Sequence, residues 1–280
     1  MKYVILIALV IAVIALSALW FFQRSLIYPA PPSRAIAVPG YSRVTLATDD
    51  GLTLTALYRP AAAGRSTLVF FHGNADTLEG SAVAVAGPVA AGHGALLPEY
   101  RGYGGNPGTP GEAGFYADGR AALAFLRQNG IADQDIVIVG NSIGSGIATE
   151  LATTGDFGGL ALVSAYTSLP NVVAEALRLP LGPLVRDRFE NLAKLPRVTT
   201  PVLVLHGDRD AVIGFAHGRA LGAVPGVRFL AFPGVGHELA YLPQAQAALT
   251  TWLANAGKTP LNRAPKPPIQ AARAPERSSP

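Results

Sequence analysis

The chain has 280 residues, of which 50% are hydrophobic and 14% are charged, a composition that excludes a wholly disordered protein. It holds 22 basic and 18 acidic residues, but five of the basic ones and one of the acidic ones lie at positions 258–280, so the rest of the chain carries 17 of each. The net charge of +4 therefore gives no support to a nucleic-acid-binding surface, and no nucleic-acid partner is expected. Because there is no cysteine, disulfides, thiolate metal sites and cysteine nucleophiles are excluded.

An apolar run of 20 residues at positions 3–22 contains Ser17 as its only clearly polar member. A helix of this length can cross the hydrocarbon core of a bilayer, which is roughly 30 Å thick. A cleaved signal peptide is the alternative, but its apolar region usually has about 7 to 15 residues and ends in small residues. Here the run ends in Trp20, Phe21 and Phe22, which suit the edge of a bilayer. The sequence therefore predicts a transmembrane anchor at residues 1–24 and a single-pass membrane protein, and it leaves the side of the remaining chain undecided.

Residues 257–280 are basic, rich in proline and without apolar periodicity. Such a segment cannot bury enough surface to offset its ordering entropy, so it is predicted to be disordered. It either touches anionic lipid head groups or is a solvated extension without a specific partner. Residues 25–40 are predicted to be a linker, which leaves residues 41–256 as the folded domain.

The folded domain begins with two alternating stretches, residues 43–48 and 52–58, that flank Asp50-Gly51 and predict a β-hairpin. Short apolar runs predict buried strands at residues 67–71, 95–98, 136–139, 160–163, 202–205 and 227–232. Segments rich in helix formers lie between or after them, at residues 82–91, 114–128, 145–154 and 243–255. This alternation predicts an α/β fold with a mostly parallel central sheet of about eight strands and helices on both faces.

Chemically distinctive residues follow four of the predicted strands, at residues 72–75, 140–144, 206–210 and 234–237. In open α/β sheets ligands bind outside the carboxyl ends of the strands, so these segments are where chemistry is expected. Together they supply a nucleophile, an acid, a base and a loop for an oxyanion hole.

The pattern Gly140-x-Ser142-x-Gly144 lies between a predicted strand and a predicted helix. This setting holds a serine in a strained, exposed conformation, and glycine is needed where strand and helix pack closely. The alternative is a glycine-rich turn without a chemical role. A dinucleotide fingerprint is excluded, because Gly144-x-Gly146 is followed by Thr149 at the position of the third glycine.

A serine hydroxyl needs a base to take its proton, and the base needs a carboxylate to fix its tautomer. The order Ser142, Asp210, His237 supplies both partners, and Asp208 is the competitor for the acid. His237 is preferred as the base because it follows the last predicted strand in a glycine-rich loop. Of the other histidines, His72 and His206 are predicted to have structural roles, and His93 and His217 are predicted to be surface residues.

A tetrahedral intermediate needs preorganised N–H donors. The N–H of Ile143, directly after the nucleophile, is the expected first donor. The second is expected from the loop after the strand at residues 67–71, which points to Asn74.

Across residues 41–256 the chain resembles serine hydrolases of the α/β-hydrolase superfamily. The resemblance is carried by FHGNA at residues 71–75, EYRGYG at 99–104 and GNSIGSG at 140–146. These segments are similar to a membrane-anchored subgroup related to eukaryotic protein depalmitoylases, lysophospholipid or monoacylglycerol lipases, and serine aminopeptidase-like hydrolases. The subgroup's motifs imply Asp210 as the catalytic acid and His237 as the base. One departure is the segment at residues 105–107, where relatives often have a serine; Arg101 is predicted to be structural and to pair with Asp118.

The resemblance implies an α/β-hydrolase fold with a short lid at residues 164–201. It also implies an enzyme that cleaves carboxylic ester or thioester bonds through an acyl-enzyme on Ser142, without a metal or an organic cofactor. Apolar side chains of the lid either line an acyl pocket or pack on the sheet. They are Leu177, Leu179, Leu181, Leu184 and Val185.

With the predicted anchor, the expected substrate is an acyl lipid or another acylated molecule presented from a lipid bilayer. Two other functions stay open. A serine aminopeptidase would need carboxylates to hold a substrate ammonium group, and Glu175, Asp187 and Glu190 are the candidates in the lid. A noncatalytic membrane scaffold on the same fold is the other alternative, because a fold does not imply a function.

Overall fold

The structure is a computed structural model that describes residues 1–30 and 37–256. The predicted disordered tail at residues 257–280 and part of the predicted linker at residues 25–40 lie outside the described residues. Within the described part, eight strands form one sheet in the order β1-β2-β4-β3-β5-β6-β7-β8. The strands are β1 (Ser42–Ala47), β2 (Thr53–Arg59), β3 (Thr67–Phe71), β4 (Gly94–Pro98), β5 (Ile136–Asn141), β6 (Gly159–Val163), β7 (Val202–Gly207) and β8 (Val227–Phe232).

The pairing of the strands confirms the predicted hairpin and the mostly parallel sheet. Strand β2 pairs antiparallel with β1 and with β4, and every other neighbouring pair is parallel. The parallel strands therefore bring their carboxyl ends to one edge, where β5 lies between β3 and β6. This edge receives the loops after β3, β5, β7 and β8.

Helices cover both faces of the sheet, as predicted. The helices are α1 (Lys2–Ile27), α2 (Leu78–Ala84), α3 (Ala86–Ala90), α4 (Glu112–Gln128), α5 (Gly144–Ala152), α6 (Leu169–Leu177), α7 (Asn191–Lys194), α8 (Phe215–Gly222) and α9 (Pro243–Ala256). Alternate strand side chains point to opposite faces. Val69 and Phe71 accordingly join the apolar core under α4, α5 and α8, whereas Leu68 and Phe70 join the core under α2 and α9.

The N-terminal helix α1 forms over the apolar run at residues 3–22, but the prediction that this run is a transmembrane anchor is not supported. In the part of the chain that the structure describes, no helix meets the length and hydropathy needed to cross a membrane. The helix also continues past residue 24 to Ile27, into the predicted linker. Its end is part of the folded structure, because Gln23 and Tyr28 are both buried.

The predicted lid, residues 164–201, lies between β6 and β7 and is called the lid segment below. It contains α6, α7 and two short 3₁₀ turns, at Gly182–Leu184 and Leu195–Arg197. Helix α6 begins with Ser168 as its N-cap, whose hydroxyl accepts a hydrogen bond from the Asn171 N–H. It ends at Arg178, which has a left-handed backbone with φ of 52°.

Candidate active site

The turn between β5 and α5 places Ser142 at the carboxyl edge of the sheet. Ser142 has a φ of 52°, in the left-handed region that a serine rarely adopts. Its N–H donates to the carbonyl of Val163 in the neighbouring strand (3.0 Å), and its carbonyl accepts from the Ser145 N–H (2.9 Å). The sheet and the first turn of the helix thus hold the strained residue in place from both sides.

Two glycines permit the close approach of strand and helix around this serine. A Cβ at Gly144 would lie 2.1 Å from the carbonyl oxygen of Phe71 in β3. At Gly140 a Cβ would lie 2.6 Å from the carbonyl oxygen of Gly144 itself. Both obstacles are backbone atoms, which cannot rotate away as a side chain can.

Replacement of Gly144 by alanine is expected to lower the free energy of unfolding by about 3 kcal/mol or more, because the added methyl group forces the strand and helix apart. Urea unfolding of both proteins measures the difference. Gly182→Ala is the matched control, since its Cβ would make an ordinary 3.4 Å contact with Pro170. Equal stability of the two variants would contradict the packing argument.

The structure brings Ser142, His237 and Asp210 together in one chain of hydrogen bonds. His237 Nε2 lies 3.0 Å from Ser142 Oγ, and His237 Nδ1 lies 2.8 Å from Asp210 Oδ2. The other oxygen of Asp210 accepts from the N–H groups of Val212 (2.9 Å) and Ile213 (2.8 Å), which fixes the carboxylate. The three residues come from loops after β5, β7 and β8, as the sequence predicts.

The competitor Asp208 is not part of this chain of hydrogen bonds. Its Oδ1 accepts instead from the N–H of Gly234, at 2.7 Å. The geometry therefore favours Asp210 over Asp208 as the partner of His237.

The lowered pKa of Asp210 suits a carboxylate that must stay ionised beside a histidine base. Burial favours its neutral form, but the hydrogen bond from His237, those from the Ile213 and Val212 N–H groups, and the charge of His237 hold its pKa below the usual value. An ionised Asp210 only accepts hydrogen bonds, so Nδ1 of His237 must carry the hydrogen of that pair. Nε2 is then the acceptor that faces the hydroxyl of Ser142.

The loop after β3 lies against Ser142. A Cβ at Gly73 would be 3.5 Å from the Cβ of Ser142, and the next residues are Asn74 and Ala75, the latter with φ of 56°. Within residues 1–30 and 37–256, neither the Asn74 N–H nor the Ile143 N–H donates a hydrogen bond to a protein acceptor. Both groups are thus available to a ligand, as an oxyanion hole requires.

Comparisons with known proteins identify relatives of the chain and solved structures with a similar fold. No protein-family model matches the chain. An uncharacterized protein of Mycobacterium tuberculosis is 35% identical over 245 residues, which cover 82% of this chain and 87% of the relative. Protein bem46 of Schizosaccharomyces pombe is 29% identical over 76% of this chain and 78% of its own length. Alpha/beta hydrolase domain-containing protein 17B of Homo sapiens is 35% identical over 55% of this chain and 54% of its own length.

The chain belongs to the α/β-hydrolase superfamily.

Solved structures of an esterase and of a phospholipase share the fold at low sequence identity. The esterase Pf2001 of Pyrococcus furiosus has a TM-score of 0.66 and 17% identity, and the match covers 81% of this chain and 97% of the esterase. A structure described as a membrane phospholipase A has a TM-score of 0.60 and 16% identity, and covers 92% of this chain and all of its own. At these identities the likeness shows the fold alone.

A buried pair of side chains, His72 and Glu99, supports the loop after β3 of this α/β hydrolase and was missed by the sequence analysis. His72 is fully buried, with Nε2 at 2.9 Å from Glu99 Oε1 and Nδ1 at 2.8 Å from the carbonyl of Gly73. Burial lowers the pKa of His72, but the hydrogen bond to Glu99 and the charge of that carboxylate raise it more, so the net shift is upward. The hydroxyl of Tyr100 donates to the carbonyl of His72 (2.7 Å). The signal was in the sequence, since Glu99 begins the second of the resemblance segments.

The structure corrects the prediction that His93 and His217 are surface residues of the α/β hydrolase. Both are buried, with 4% and 6% of their surfaces exposed. His93 Nδ1 lies 2.9 Å from Ser66 Oγ, and His217 Nδ1 lies 2.8 Å from Thr167 Oγ1. Each imidazole meets a hydroxyl far away in sequence, which no local pattern indicates.

The loop between β4 and α4 has a structural role in this α/β hydrolase. The predicted pair of Arg101 and Asp118 forms, with Nε at 2.8 Å from Oδ1, and Asp50 is a second partner of the guanidinium. Asn106, in the segment that departs from the relatives, donates to the Glu99 carbonyl (3.0 Å) and accepts from the Thr55 N–H (3.0 Å). The amide of Asn106 thus ties the loop to β2.

Across the described residues no cluster of three or more His, Asp or Glu side chains is placed to hold a metal ion.

Proposed function

We propose that this α/β hydrolase is a serine hydrolase that cleaves carboxylic ester or thioester bonds through an acyl-enzyme on Ser142. The observation that carries the proposal is the hydrogen-bonded chain from Asp210 through His237 to Ser142 Oγ. The nucleophile stands on a left-handed turn. Among the described residues, the Ile143 N–H of this turn and the Asn74 N–H of the loop after β3 have no protein acceptor. This arrangement combines the three parts that acyl transfer needs, namely an activated nucleophile, an oriented base and oxyanion donors.

In the proposed reaction Oγ of Ser142 attacks the acyl carbonyl while Nε2 of His237 takes the hydroxyl proton. The N–H groups of Ile143 and Asn74 stabilise the oxyanion of the tetrahedral intermediate. His237 then gives the proton to the leaving alcohol or thiol, and the acyl group stays on Ser142. A water molecule, deprotonated by the same imidazole, releases the acid, while ionised Asp210 stabilises the imidazolium in both halves.

The proposed substrates are acyl lipids or other acylated molecules. Large apolar side chains are exposed at the end of α1 and on the lid segment, among them Phe21, Phe22, Leu177 and Leu179. Exposed apolar surfaces of this kind mark interaction sites for lipids or other apolar partners. This supports the delivery of substrate from a lipid surface, and cosedimentation of the protein with phosphatidylcholine vesicles tests it.

The carboxylates of the lid segment do not support the aminopeptidase alternative, because each already has an arginine or imidazole partner. Glu175 lies 3.0 Å from Nε2 of His217, Asp187 lies 2.7 Å from Arg24, and Glu190 lies 2.8 Å from Arg188. A substrate ammonium group would have to displace one of them.

Fluorophosphonate labelling followed by intact-mass measurement tests the proposed function. One stoichiometric adduct on the wild type is expected, because the probe reacts with an activated serine. Hydrolysis of p-nitrophenyl acetate by the same preparation is the second expected result. Folded protein that forms no adduct and hydrolyses no ester would overturn the mechanism in favour of the noncatalytic scaffold.

The proposed mechanism predicts a loss of activity on acidification. His237 must be neutral to accept the serine proton, so kcat/KM is expected to fall by about tenfold per pH unit once the ring is protonated. Asp210 does not cause this loss, since its lowered pKa keeps it ionised to more acidic pH than usual. Initial rates on an acetyl ester from mildly acidic to alkaline pH check the prediction, and a flat profile contradicts the role of His237.

A further inference from the structure

A cavity of about 530 Å³ lies between α1 and the lid segment, outside the hydrogen-bonded chain described above. One wall consists of side chains from α1, including Ser17, Trp20 and Ile27. The opposite wall consists of lid side chains, including Val173, Ala176 and Leu181. The volume lies in the range of small-molecule sites, about 300 to 1,000 Å³.

The lining of the cavity selects for an apolar ligand. No charged side chain lines it, and its polar side chains are Ser17 and Gln23. The amide of Gln23 is already used, because Nε2 donates to the carbonyls of Trp20 (3.1 Å) and Leu184 (3.3 Å) and Oε1 accepts from the Arg186 N–H (2.8 Å). A polar or charged ligand would therefore lose its hydration without gaining hydrogen-bond partners.

The two walls are held together by polar contacts beside the cavity. The carboxylate of Asp187, which is buried, accepts from Arg24 Nη2 (2.7 Å), from Arg24 Nε (3.0 Å) and from the Tyr28 hydroxyl (2.8 Å). These bonds join the last turns of α1 to the lid segment. The cavity is thus formed before any ligand enters, which reduces the entropic cost of binding.

One end of the cavity contacts the loop that holds a proposed oxyanion donor. Ile27 lines the cavity, and its carbonyl accepts a hydrogen bond from the side-chain amide of Asn74. The hydroxyl of Tyr103 donates to the other side-chain atom of Asn74, Oδ1. Trp20, Phe21 and Leu177 also line the cavity, and each of the three is partly exposed to solvent. An acyl group whose carbonyl oxygen is bound at Asn74 therefore has an apolar space beside it, with an apolar rim.

We propose that this cavity binds the unbranched acyl chain of the substrate and that α1 is one wall of the substrate site. The inference rests on the ester hydrolase function proposed above and assigns the substrate class: esters or thioesters of medium or long fatty acids. Each methylene group that enters the cavity is expected to raise kcat/KM by about fourfold until the cavity is full.

The test compares p-nitrophenyl acetate with the hexanoyl and dodecanoyl esters on the full chain. Ser17→Phe and Ala176→Phe each add a ring to the cavity, one from each wall. Val13→Phe, on an exposed position of α1 outside the cavity lining, and Ala254→Phe, on an exposed position of α9, are the matched controls. In both filling variants the ratio of kcat/KM for the dodecanoyl ester to that for the acetyl ester is expected to fall by about tenfold or more, the contribution of close to two methylene groups. In the controls the ratio is expected to stay at the wild-type value.

Two results would overturn the acyl-chain site while leaving the proposed hydrolase function intact. One is a wild-type kcat/KM that does not depend on the length of the acyl chain. The other is a dodecanoyl-to-acetyl ratio of kcat/KM that is unchanged in both filling variants. A second readout does not need turnover. Trp20 lines the cavity, and Trp252 is the other tryptophan of the chain. In Ser142→Ala protein that also carries Trp252→Phe, nitroxide-labelled stearate is expected to quench Trp20 fluorescence saturably, and free palmitate is expected to reverse it.

The fluorescence readout separates the two proposals. Saturable quenching that Ala176→Phe weakens supports the acyl-chain site even if the wild type hydrolyses no ester, a result that would overturn only the proposed function. The inference would be overturned if free palmitate did not reverse the quenching and light scattering showed a dimer. That pair of results would mean that a second copy of the chain covers the cavity.

Discussion

Replacement of Ser142 by alanine is expected to lower kcat for ester hydrolysis by about 10⁶-fold, the size of the loss when the serine of an established triad is removed. The reason is that Ser142 Oγ is the atom 3.0 Å from Nε2 of His237, and alanine leaves this imidazole without a nucleophile. The fluorophosphonate adduct is expected to disappear as well. Stability should change little, since alanine also occupies a left-handed position at Ala75, with φ of 56°.

Ser164→Ala is the matched control for this experiment. Ser164 is buried at the end of the neighbouring strand β6 and also has a left-handed backbone, with φ of 46°. It differs from Ser142 in having no hydrogen bond between its hydroxyl and His237. If fluorophosphonate labelling survived in Ser142→Ala and was lost in Ser164→Ala, the nucleophile would be Ser164 and the proposed role of Ser142 would be wrong.

Replacement of Asp210 by asparagine is expected to lower kcat by about 10⁴-fold while the fold is retained. The amide would present an N–H to Nδ1 of His237 in place of a carboxylate oxygen, which favours the imidazole tautomer with hydrogen on Nε2. That hydrogen then points at Ser142, so the ring can no longer accept the serine proton. The imidazolium formed during the reaction also loses the negative charge beside it.

Asp208→Asn provides the comparison for this prediction, because both aspartates lie in the same loop after β7. Asp208 contacts the Gly234 N–H rather than His237, so its replacement is expected to change kcat only slightly. The rates of fluorophosphonate labelling and of acetyl ester hydrolysis measure both variants. A larger loss in Asp208→Asn than in Asp210→Asn would assign the acid to Asp208 instead.

The arrangement of the strand ends is the part of the site that the sequence predicts well. Short apolar runs separated by helical segments indicate a parallel sheet, and such a sheet collects the ends of its strands at one edge. Ser142, Asp210 and His237 each follow one of these runs by a few residues, so local patterns were sufficient to place them near each other. The choice of Asp210 over Asp208 needed more than spacing, because both lie near the end of β7, and the hydrogen bond to His237 distinguishes them.

The contacts that support the site are the part that the sequence could not predict. The pair of His72 and Glu99 joins residues 27 apart, and the contact of Arg24 with Asp187 joins residues 163 apart. Neither has a periodic signature, because a single hydrogen bond between distant segments leaves no repeat in the sequence. The apolar run at residues 3–22 resembled a membrane segment by its composition, which reports hydrophobicity but not the polar contacts of Gln23 and Arg24 with the lid segment.

The attachment of α1 to the lid segment makes the helix a structural support of the candidate site. A protein shortened to start at residue 29 would leave the buried carboxylate of Asp187 without the three hydrogen bonds that it now accepts, a costly state for an interior charge. The side-chain amide of Asn74 would lose its acceptor on Ile27, and the lid leucines would lose the wall opposite them. Rates measured on such a shortened protein would therefore describe an altered loop after β3 and an open lid segment, whereas rates measured on the full chain report on the complete site.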